Sequence, residues 1–179
     1  ELLTCVADVS VIADINRLTT QIEQQWGVLD ILVNNAGVAP RDGKDLAGDS
    51  IEAFQVTLKV NLLGAFLCTN LTLPLLLKSL DPRIINVSST LGTMSSKLIS
   101  SYDISKAGLN ALTIAFSNQL YGRVAVNAIS PGWVRTDMAP EAPGDPRNSA
   151  EIVLDLLKRP RNFTGRFVGR EGEIQWSCF

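Results

Sequence analysis

The sequence predicts an α/β fold with one doubly wound, mainly parallel sheet, and three observations lead to that prediction. Short apolar runs alternate with longer segments of helical periodicity, which is the element order of a βαβ chain. The runs at 31–33 and 84–87 are almost continuously apolar, as in strands that are covered on both faces. The length of 179 residues is that of one domain, so we expect a single domain over 1–179.

The first predicted strand is the short apolar run over 2–7, which we expect to be buried. Ser10 can cap a helix that extends to about Trp26, where Gly27 is a stop signal. The next strand is expected over 29–33, and it ends at the sequence Asn-Asn-Ala-Gly.

A long helix follows, from about Ser50 to Leu77, with Asn61 near its middle. An Asp-Pro pair at 81–82 breaks this helix, because the residue before a proline favours an extended conformation. The apolar run at 83–87 is then the next predicted strand.

The second half of the chain repeats this alternation. A helix with an apolar stripe is predicted over 102–120 and ends at Gly122, and a strand over 124–129 follows it. A short helix over 150–157 and a last strand over 166–168 complete the predicted fold.

Composition excludes several classes of function. The net charge of −2 shows no basic excess, so no nucleic-acid partner is expected. The absence of His excludes a Ser-His-Asp triad and a His-ligated zinc site, and three widely spaced Cys predict no disulfide framework and no metal centre. We therefore expect a protein of the reducing cytoplasm. The most apolar stretch, 62–77, is interrupted by Thr, Asn and Pro and is expected to be too short to cross a membrane.

Ligands of parallel sheets bind beyond the carboxyl ends of the strands, so the polar residues there are the candidates for a site. Tyr102 and Lys106 lie four residues apart at the start of a predicted helix, which places both on one face. An isolated Tyr has a pKa near ~10, and a neighbouring ammonium favours its ionised form. The pair is therefore a candidate general acid/base, with an exposed helix-surface pair as the alternative reading of this spacing alone. Ser88 and Ser89 end the preceding strand, where one hydroxyl can bind a substrate oxygen.

Four further motifs accompany this pair. They are Asn-Asn-Ala-Gly at 34–37, Asn61 within a helix, Asn-Val-Ser-Ser at 86–89 and Pro-Gly-Trp-Val-Arg-Thr at 131–136. Their order and spacing resemble the classical short-chain dehydrogenase/reductase family, over the chain from Leu2 to about Trp176. The resemblance implies a Rossmann-like fold, a nicotinamide cofactor and reversible hydride transfer between that cofactor and a small carbonyl or alcohol substrate.

The resemblance also implies a role for each catalytic residue. Tyr102 is the acid/base, and Lys106 lowers the pKa of that Tyr and binds the nicotinamide ribose. Ser89, thirteen residues before Tyr102, orients the substrate carbonyl, with Ser88 as the alternative. Asn61 supports a water-linked proton relay to the Lys, although it can instead be a polar residue that satisfies a helix kink.

Other residues are implied to bind the cofactor. Asp8 and Val9 resemble the pair that contacts adenine, with a helix cap together with Ser10 as the alternative for Asp8. Asn34 is expected to be structural. The adenosine ribose is implied to pass along Asn35, Ala36 and Gly37. The nicotinamide carboxamide is implied to be held by Pro131, Gly132, Val134 and Thr136, the last of which can alternatively cap a short helix.

The sequence departs from the family at its start. The Gly-rich turn Thr-Gly-x-x-x-Gly-x-Gly, which receives the cofactor pyrophosphate, does not occur, so we expect the first βαβ portion to be absent. The alternative to an enzyme is accordingly a truncated, catalytically inactive relative that acts as a binding or oligomerisation partner.

The motifs at 88–92 and 131–138 and the tail at 165–176 are most similar to carbonyl reductases, which prefer NADPH; NAD is the alternative cofactor. A 3-oxoacyl-thioester reductase or a steroid or sugar dehydrogenase is the alternative enzyme. The loops at 91–101 and 139–148 are expected to form the substrate pocket. The family also implies a homodimer or homotetramer.

Overall fold

The computed structural model describes residues 2–40, 45–93 and 100–176, and they contain a five-stranded sheet in the order β1-β2-β3-β4-β5. The strands are β1 (Ile31–Asn34), β2 (Arg83–Val87), β3 (Ala125–Ile129), β4 (Phe167–Gly169) and β5 (Gly172–Glu173). Strands β1 to β4 run parallel, and β5 returns antiparallel to β4. The predicted α/β class with a mainly parallel sheet is confirmed.

The helices follow the predicted alternation. They are α1 (Ile12–Gln25), α2 (Ile51–Leu58), α3 (Ala65–Leu76), α4 (Ser101–Gln119) and α5 (Arg147–Lys158). A π turn over Lys59–Gly64 joins α2 to α3, and a 3₁₀ turn over Thr90–Gly92 follows β2. The predicted single helix over 50–77 is therefore continuous but widened in its middle, where Asn61 lies.

Helices cover both faces of the sheet. On one face, α3 and α4 pack on the strands around an apolar cluster made of Leu76, Ile84, Phe116, Leu120, Val124 and Val126. On the other face, α5 packs around a second cluster made of Ile85, Ile129, Ile152 and Leu156. Alternate residues of β2 point into the two clusters, and this explains why that strand is apolar on both faces.

Helix caps fix the start of α4, the helix that contains the Tyr-x-x-x-Lys motif. The hydroxyl of Ser100 accepts a hydrogen bond from the backbone N–H of Asp103 at 3.2 Å, and the Asp103 carboxylate accepts one from the N–H of Ser100 at 3.1 Å. This reciprocal pair is a capping box, which satisfies amide groups that have no partner inside the helix. Gly122 follows the end of α4 with a φ of 75°, as its stop signal predicted.

Two predictions about the first elements are wrong. The run over 2–7 is not a strand; Leu2 and Val6 are 87% and 95% exposed, because no strand of the described residues pairs with this run. Ser10 does not cap α1: Val11 is the N-cap residue, and the Ser10 hydroxyl instead donates to Asp8 Oδ1 at 2.8 Å. Strand β5 was not predicted, because its two residues have no apolar pattern.

The helical stretch Ile51–Leu76 is longer than the apolar run 62–77, which was expected to be too short to cross a membrane. Its 26 residues, with a mean hydropathy of 1.4 in the most apolar window, are long and apolar enough to cross a membrane by length and composition alone. Core helices of folded domains meet the same criterion, and this stretch packs on the sheet and on α4.

Strand β1 forms one edge of the sheet in the described residues. Ile31 and Val33 share the face of β1 opposite α3, and each is 39% exposed. Unpaired edges with exposed apolar side chains favour association with other chains.

We expect the 179-residue chain to self-associate through this edge, and Val33→Lys to raise severalfold the concentration at which it does so. A lysine on an edge strand opposes pairing by charge and desolvation. Light scattering over a concentration series measures the effect. Leu154→Lys is the matched control, because Leu154 is 56% exposed on α5, a helix that packs against residues of β2, β3 and β4. An equal effect of both substitutions would show that added charge alone is responsible.

Candidate active site

The carboxyl ends of β1, β2 and β3 lie side by side. Asn34 pairs in register with Asn86, and Val87 pairs with Ile129. The ladder continues one residue past β2, where the Ser88 N–H donates to the Ile129 carbonyl at 2.8 Å. The segments that follow these strands, 34–37, 88–89 and 130–136, therefore begin at one edge of the sheet.

Tyr102 and Lys106 lie on successive turns at the start of α4. The Lys106 Nζ is 5.5 Å from the centroid of the Tyr102 ring, so the two side chains meet as their spacing predicted. The same Nζ donates a hydrogen bond to the Val87 carbonyl at 2.8 Å. Lys106 therefore connects the end of β2 to the ring of Tyr102.

The environment of Lys106 changes its acidity. The residue is 4% exposed, and this burial lowers the pKa of its ammonium from 10.5 to about 8. The charged form loses hydration in the interior, whereas the neutral form loses little. At neutral pH the group is still mainly protonated, so it can act as a cation and as a hydrogen-bond donor.

Asn61 connects the π turn to two other parts of the site. Its Nδ2 donates to the Val38 carbonyl at 2.9 Å and its Oδ1 accepts from the Val38 N–H at 2.8 Å. Nδ2 also donates to Ser105 Oγ at 2.9 Å, and Ser105 in turn donates to the Tyr102 carbonyl at 2.7 Å. These bonds connect the π turn to the segment after β1 and to α4.

Gly37 lies against both of these polar groups. A Cβ at this position would be 3.6 Å from Asn61 Oδ1 and 3.6 Å from Lys106 Nζ. Three residues predicted for the site from separate motifs, namely Gly37, Asn61 and Lys106, are thus neighbours in the structure.

The two serines after β2 have different environments. Ser88 is buried, and its hydroxyl donates to Asn110 Oδ1 at 2.5 Å. Ser89 is half-buried; its Oγ accepts from the Leu91 N–H at 3.1 Å, a bond that does not use the hydroxyl hydrogen. Ser89 can therefore donate to a ligand, whereas the hydroxyl of Ser88 is committed to the interior.

Asn34 belongs to a buried polar network between the sheet and its helices. Its Nδ2 donates to Asn86 Oδ1 at 2.8 Å and to Thr69 Oγ1 at 3.2 Å. Asn86 Nδ2 in turn donates a hydrogen bond to Thr113 Oγ1 at 2.8 Å. These bonds are what a structural role of Asn34 requires. Asn35 and Ala36, in contrast, are exposed beyond the end of β1.

Val9 lies beside the π turn, and Asp8 lies in the turn before α1. Asp8 Oδ1 accepts bonds from both the N–H and the hydroxyl of Ser10 at 2.8 Å, within the turn that precedes α1. The Val9 side chain packs on Gly64, where a Cβ would lie 2.7 Å from Val9 Cγ2. Asp8 and Ser10 thus bond to each other, but neither side chain caps α1, whose N-cap residue Val11 has no side-chain bond.

The segment after β3 forms an exposed loop that begins at Pro131. Gly132 has a φ of 79°, a backbone conformation that favours glycine. Val134 forms a bridge with Gly144, and Thr136 exchanges backbone hydrogen bonds with Ala139 at 3.0 and 3.4 Å. The predicted pocket loop over 139–148 is thus fastened to 131–136. Of the other predicted pocket loop, 94–99 lies outside the described residues.

Sequence reasoning missed three polar residues that hold the site together, namely Ser105, Asn110 and Ser130. Ser105 and Asn110 follow Tyr102 at positions i+3 and i+8, on the buried face of α4. Polar residues recur at helical spacing at 106, 110, 113 and 117, all of them buried in α4, and this recurrence is the signal that would have found Asn110.

Comparisons with known proteins match most of the chain. The family model described as short chain dehydrogenase matches residues 1–146. The 3-oxoacyl-[acyl-carrier-protein] reductase FabG of Thermotoga maritima is 30% identical, over 89% of this chain and 72% of its own length. The 3-oxoacyl-[acyl-carrier-protein] reductase of Synechocystis sp. is 34% identical, over 82% of this chain and 59% of its own length. Among solved structures, carbonyl reductase Sniffer of D. melanogaster superposes with a TM-score of 0.83 and 30% identity, covering 92% of this chain and 74% of that one.

Proposed function

Because this chain belongs to the short-chain dehydrogenase/reductase family, we propose that it is a nicotinamide-dependent oxidoreductase that interconverts a carbonyl and an alcohol. The observation that supports this most directly is the placement of Lys106, buried between the end of β2 and the ring of Tyr102. Gly37 and Asn61 border the same ammonium group.

The chemistry of these residues fits the nicotinamide and ribose end of a dinucleotide. An ammonium has three hydrogens, and the Val87 carbonyl takes one from Lys106, so the others can bind ribose hydroxyls. Gly132 is exposed, and among the described residues beyond its two chain neighbours no atom lies within 4 Å of the place where its Cβ would be, so a ligand can approach the backbone there. We assign the nicotinamide ribose to Tyr102 and Lys106.

The rest of the cofactor is assigned along the sheet edge. Asn35 to Gly37 would follow the adenosine ribose, and Asp8 and Val9 would contact adenine. Pro131, Gly132, Val134 and Thr136 would hold the carboxamide. The cofactor supplies the hydride that is exchanged with the substrate carbon.

The side chains of the site then direct the transfer of one proton to or from the substrate oxygen. The Tyr102 hydroxyl donates it to the carbonyl oxygen during reduction and takes it back during oxidation. The Ser89 hydroxyl donates a hydrogen bond to the same oxygen and fixes its direction. The Lys106 ammonium favours the ionised form of the phenol after proton loss, and Asn61 keeps α4 and the segment after β1 in register around it.

We propose carbonyl reduction with NADPH as the specific activity, because the 88–92 and 131–138 motifs resemble carbonyl reductases. The likeness to carbonyl reductase Sniffer at 30% identity supports this choice. A 3-oxoacyl-thioester reductase is the second candidate, supported by the relative in Thermotoga maritima.

The same proposal includes a homodimer or homotetramer. An apolar groove of about 420 Å³ opens on the surface of the π turn and its neighbouring helices. It is lined by Leu58, Lys59, Leu62, Leu63, Phe66 and Leu112. Apolar surface of this kind is suited to burial against a second copy.

A panel of carbonyl compounds tests the proposed function. The purified protein is mixed with NADPH or NADH and an aldehyde, a ketone, a quinone or a 3-oxoacyl thioester, and oxidation of the cofactor is followed by absorbance. Turnover of the first three with NADPH supports a carbonyl reductase. Turnover of the thioester alone selects the second candidate. Absence of both turnover and cofactor binding selects the inactive relative.

Substitution of the two serines separates their roles. We expect Ser89→Ala to lower kcat about 10²- to 10³-fold, the usual cost of losing a donor to a developing oxyanion. Ser88→Ala should lower kcat much less, because the Ser88 hydroxyl bonds to Asn110 in the interior. Steady-state kinetics with one carbonyl substrate compares them. A larger loss in Ser88→Ala would transfer the oxygen-binding role to that residue.

A further inference from the structure

We propose that Asn110 is a positioning residue of this site. It fastens the segment 88–92 to α4 and thereby sets where Ser89 lies relative to Tyr102 and Lys106. The inference rests on the proposed function, and it assigns to Asn110 no contact with substrate or cofactor.

The amide of Asn110 bonds to both flanks of Ser89. Its Oδ1 accepts the hydroxyl hydrogen of Ser88 at 2.5 Å, and its Nδ2 donates to the Gly92 carbonyl at 3.0 Å. Asn110 is 5% exposed, so both bonds are shielded from water. One side chain thus holds the residue before Ser89 and the end of the turn after it.

The segment also touches the helix backbone beside Lys106. A Cβ at Gly92 would lie 2.5 Å from the Lys106 carbonyl carbon and 2.7 Å from the Ala107 nitrogen, so only glycine allows this approach. Ser88 Oγ is also 3.4 Å from the Lys106 carbonyl oxygen. The segment 88–92 therefore packs against the turn of α4 that contains Lys106.

A second anchor restricts the segment from the other side. The Thr90 N–H donates to Ser130 Oγ at 3.3 Å, just beyond the end of β3. Ser89 is consequently held between α4 and β3. Because displacement of a reacting group by about 1 Å can cost on the order of 10²-fold in rate, these anchors matter for a hydroxyl that must direct the substrate oxygen.

The chemistry of the Asn110 amide explains which substitutions are informative. An amide accepts with its oxygen and donates with its nitrogen, whereas a carboxylate only accepts. Asn110→Asp keeps the side-chain shape and the bond from Ser88, but it places a second oxygen against the Gly92 carbonyl. Asn110→Leu removes both bonds. Neither change touches Lys106 Nζ or its bond to Val87.

Kinetic measurements on the protein test the inference. We expect kcat of Asn110→Leu to fall about 10- to 100-fold, while the KM for NADPH and the pH profile stay unchanged. Asn110→Asp should show the same fall in kcat with the same KM for NADPH, and it covers the case in which the leucine variant does not fold. Thr113→Val is the matched control, since it loses a buried bond from Asn86 on the same helix away from Ser89; its kcat should stay within about twofold.

Amide hydrogen exchange gives a readout that does not need turnover. The N–H groups of Leu91, Gly92 and Thr93 bond within the turn, and we expect faster exchange there in the Asn110 variants but not in Thr113→Val. Unchanged exchange, or an unchanged kcat, overturns the inference. Retained turnover in Tyr102→Phe, measured in parallel, overturns the proposed function instead.

Discussion

Tyr102→Phe is expected to lower kcat about 10²- to 10⁴-fold while the affinity for NADPH falls by no more than about fivefold, the cost of one neutral hydrogen bond to the ribose. The substitution removes the hydroxyl that transfers the proton and keeps the aromatic ring. The contact between Lys106 Nζ and the ring, 5.5 Å from its centroid, is retained. The loss should therefore fall on the chemical step.

The start of α4 should survive this substitution. Ser105 bonds to the backbone carbonyl of Tyr102, and the Ser100–Asp103 capping box does not include the phenol. Single-turnover kinetics and calorimetric titration with NADPH measure the two effects. Tyr121→Phe is the matched control, because Tyr121 is 68% exposed and follows the end of α4. More than a few per cent of residual activity in Tyr102→Phe would remove Tyr102 from the mechanism.

The sheet and its helices could be predicted because each was encoded locally. Strand β2 occupies the predicted residues 83–87, since its apolar side chains are covered on both faces and a Pro precedes it. Helix α4 begins within one residue of the prediction, where the capping box supplies a local start signal. Elements of this kind need no knowledge of distant contacts.

Elements that depend on a neighbour were predicted poorly. The run over 2–7 has a strand-like composition, yet a strand needs a partner for its backbone groups, and the described residues provide none. The π turn around Asn61 was likewise invisible, because nothing in the local composition requires a widened helix. The Asn61 side chain bonds to Val38 and Ser105, which are distant in sequence.

The same division holds for the candidate site. The meeting of Tyr102 and Lys106 follows from helical spacing alone, so the sequence predicts it. The burial of Lys106 and its bond to Val87 depend on how α4 packs on β2, and the difference between Ser88 and Ser89 depends on Asn110. These contacts cross 19 and 22 residues of sequence and could be found only in the folded chain.

Lys106→Met is expected to lower activity and at the same time to stabilise the fold at neutral pH. Without the ammonium, Tyr102 must ionise unaided and the nicotinamide ribose loses a donor. We therefore expect a lower kcat, weaker NADPH binding and an activity optimum shifted to higher pH. An unchanged pH profile with full cofactor affinity would place Lys106 outside the site.

The stability gain follows from the lowered pKa of Lys106. Burial brings this pKa from 10.5 to about 8, so between these values the unfolded chain binds more protons than the folded one, and stability rises with pH. Below about pH 8 the folded wild type bears the full cost of the buried ammonium. That cost is about 3 kcal/mol, since one unit of pKa corresponds to about 1.4 kcal/mol.

Methionine removes this cost but also removes the bond to the Val87 carbonyl, worth about 2 kcal/mol because its donor is charged. At pH 7 we therefore expect Lys106→Met to raise the free energy of unfolding by about 1 kcal/mol. The difference should reverse sign as the pH rises from about 8 towards 10.5, because the wild-type lysine then becomes neutral in both states and keeps its bond to Val87. Urea unfolding at several pH values measures it, with Lys78→Met as the control because Lys78 forms only an exposed ion pair with Glu23. A gain that is independent of pH would show that apolar packing, rather than relief of a buried charge, stabilises the variant.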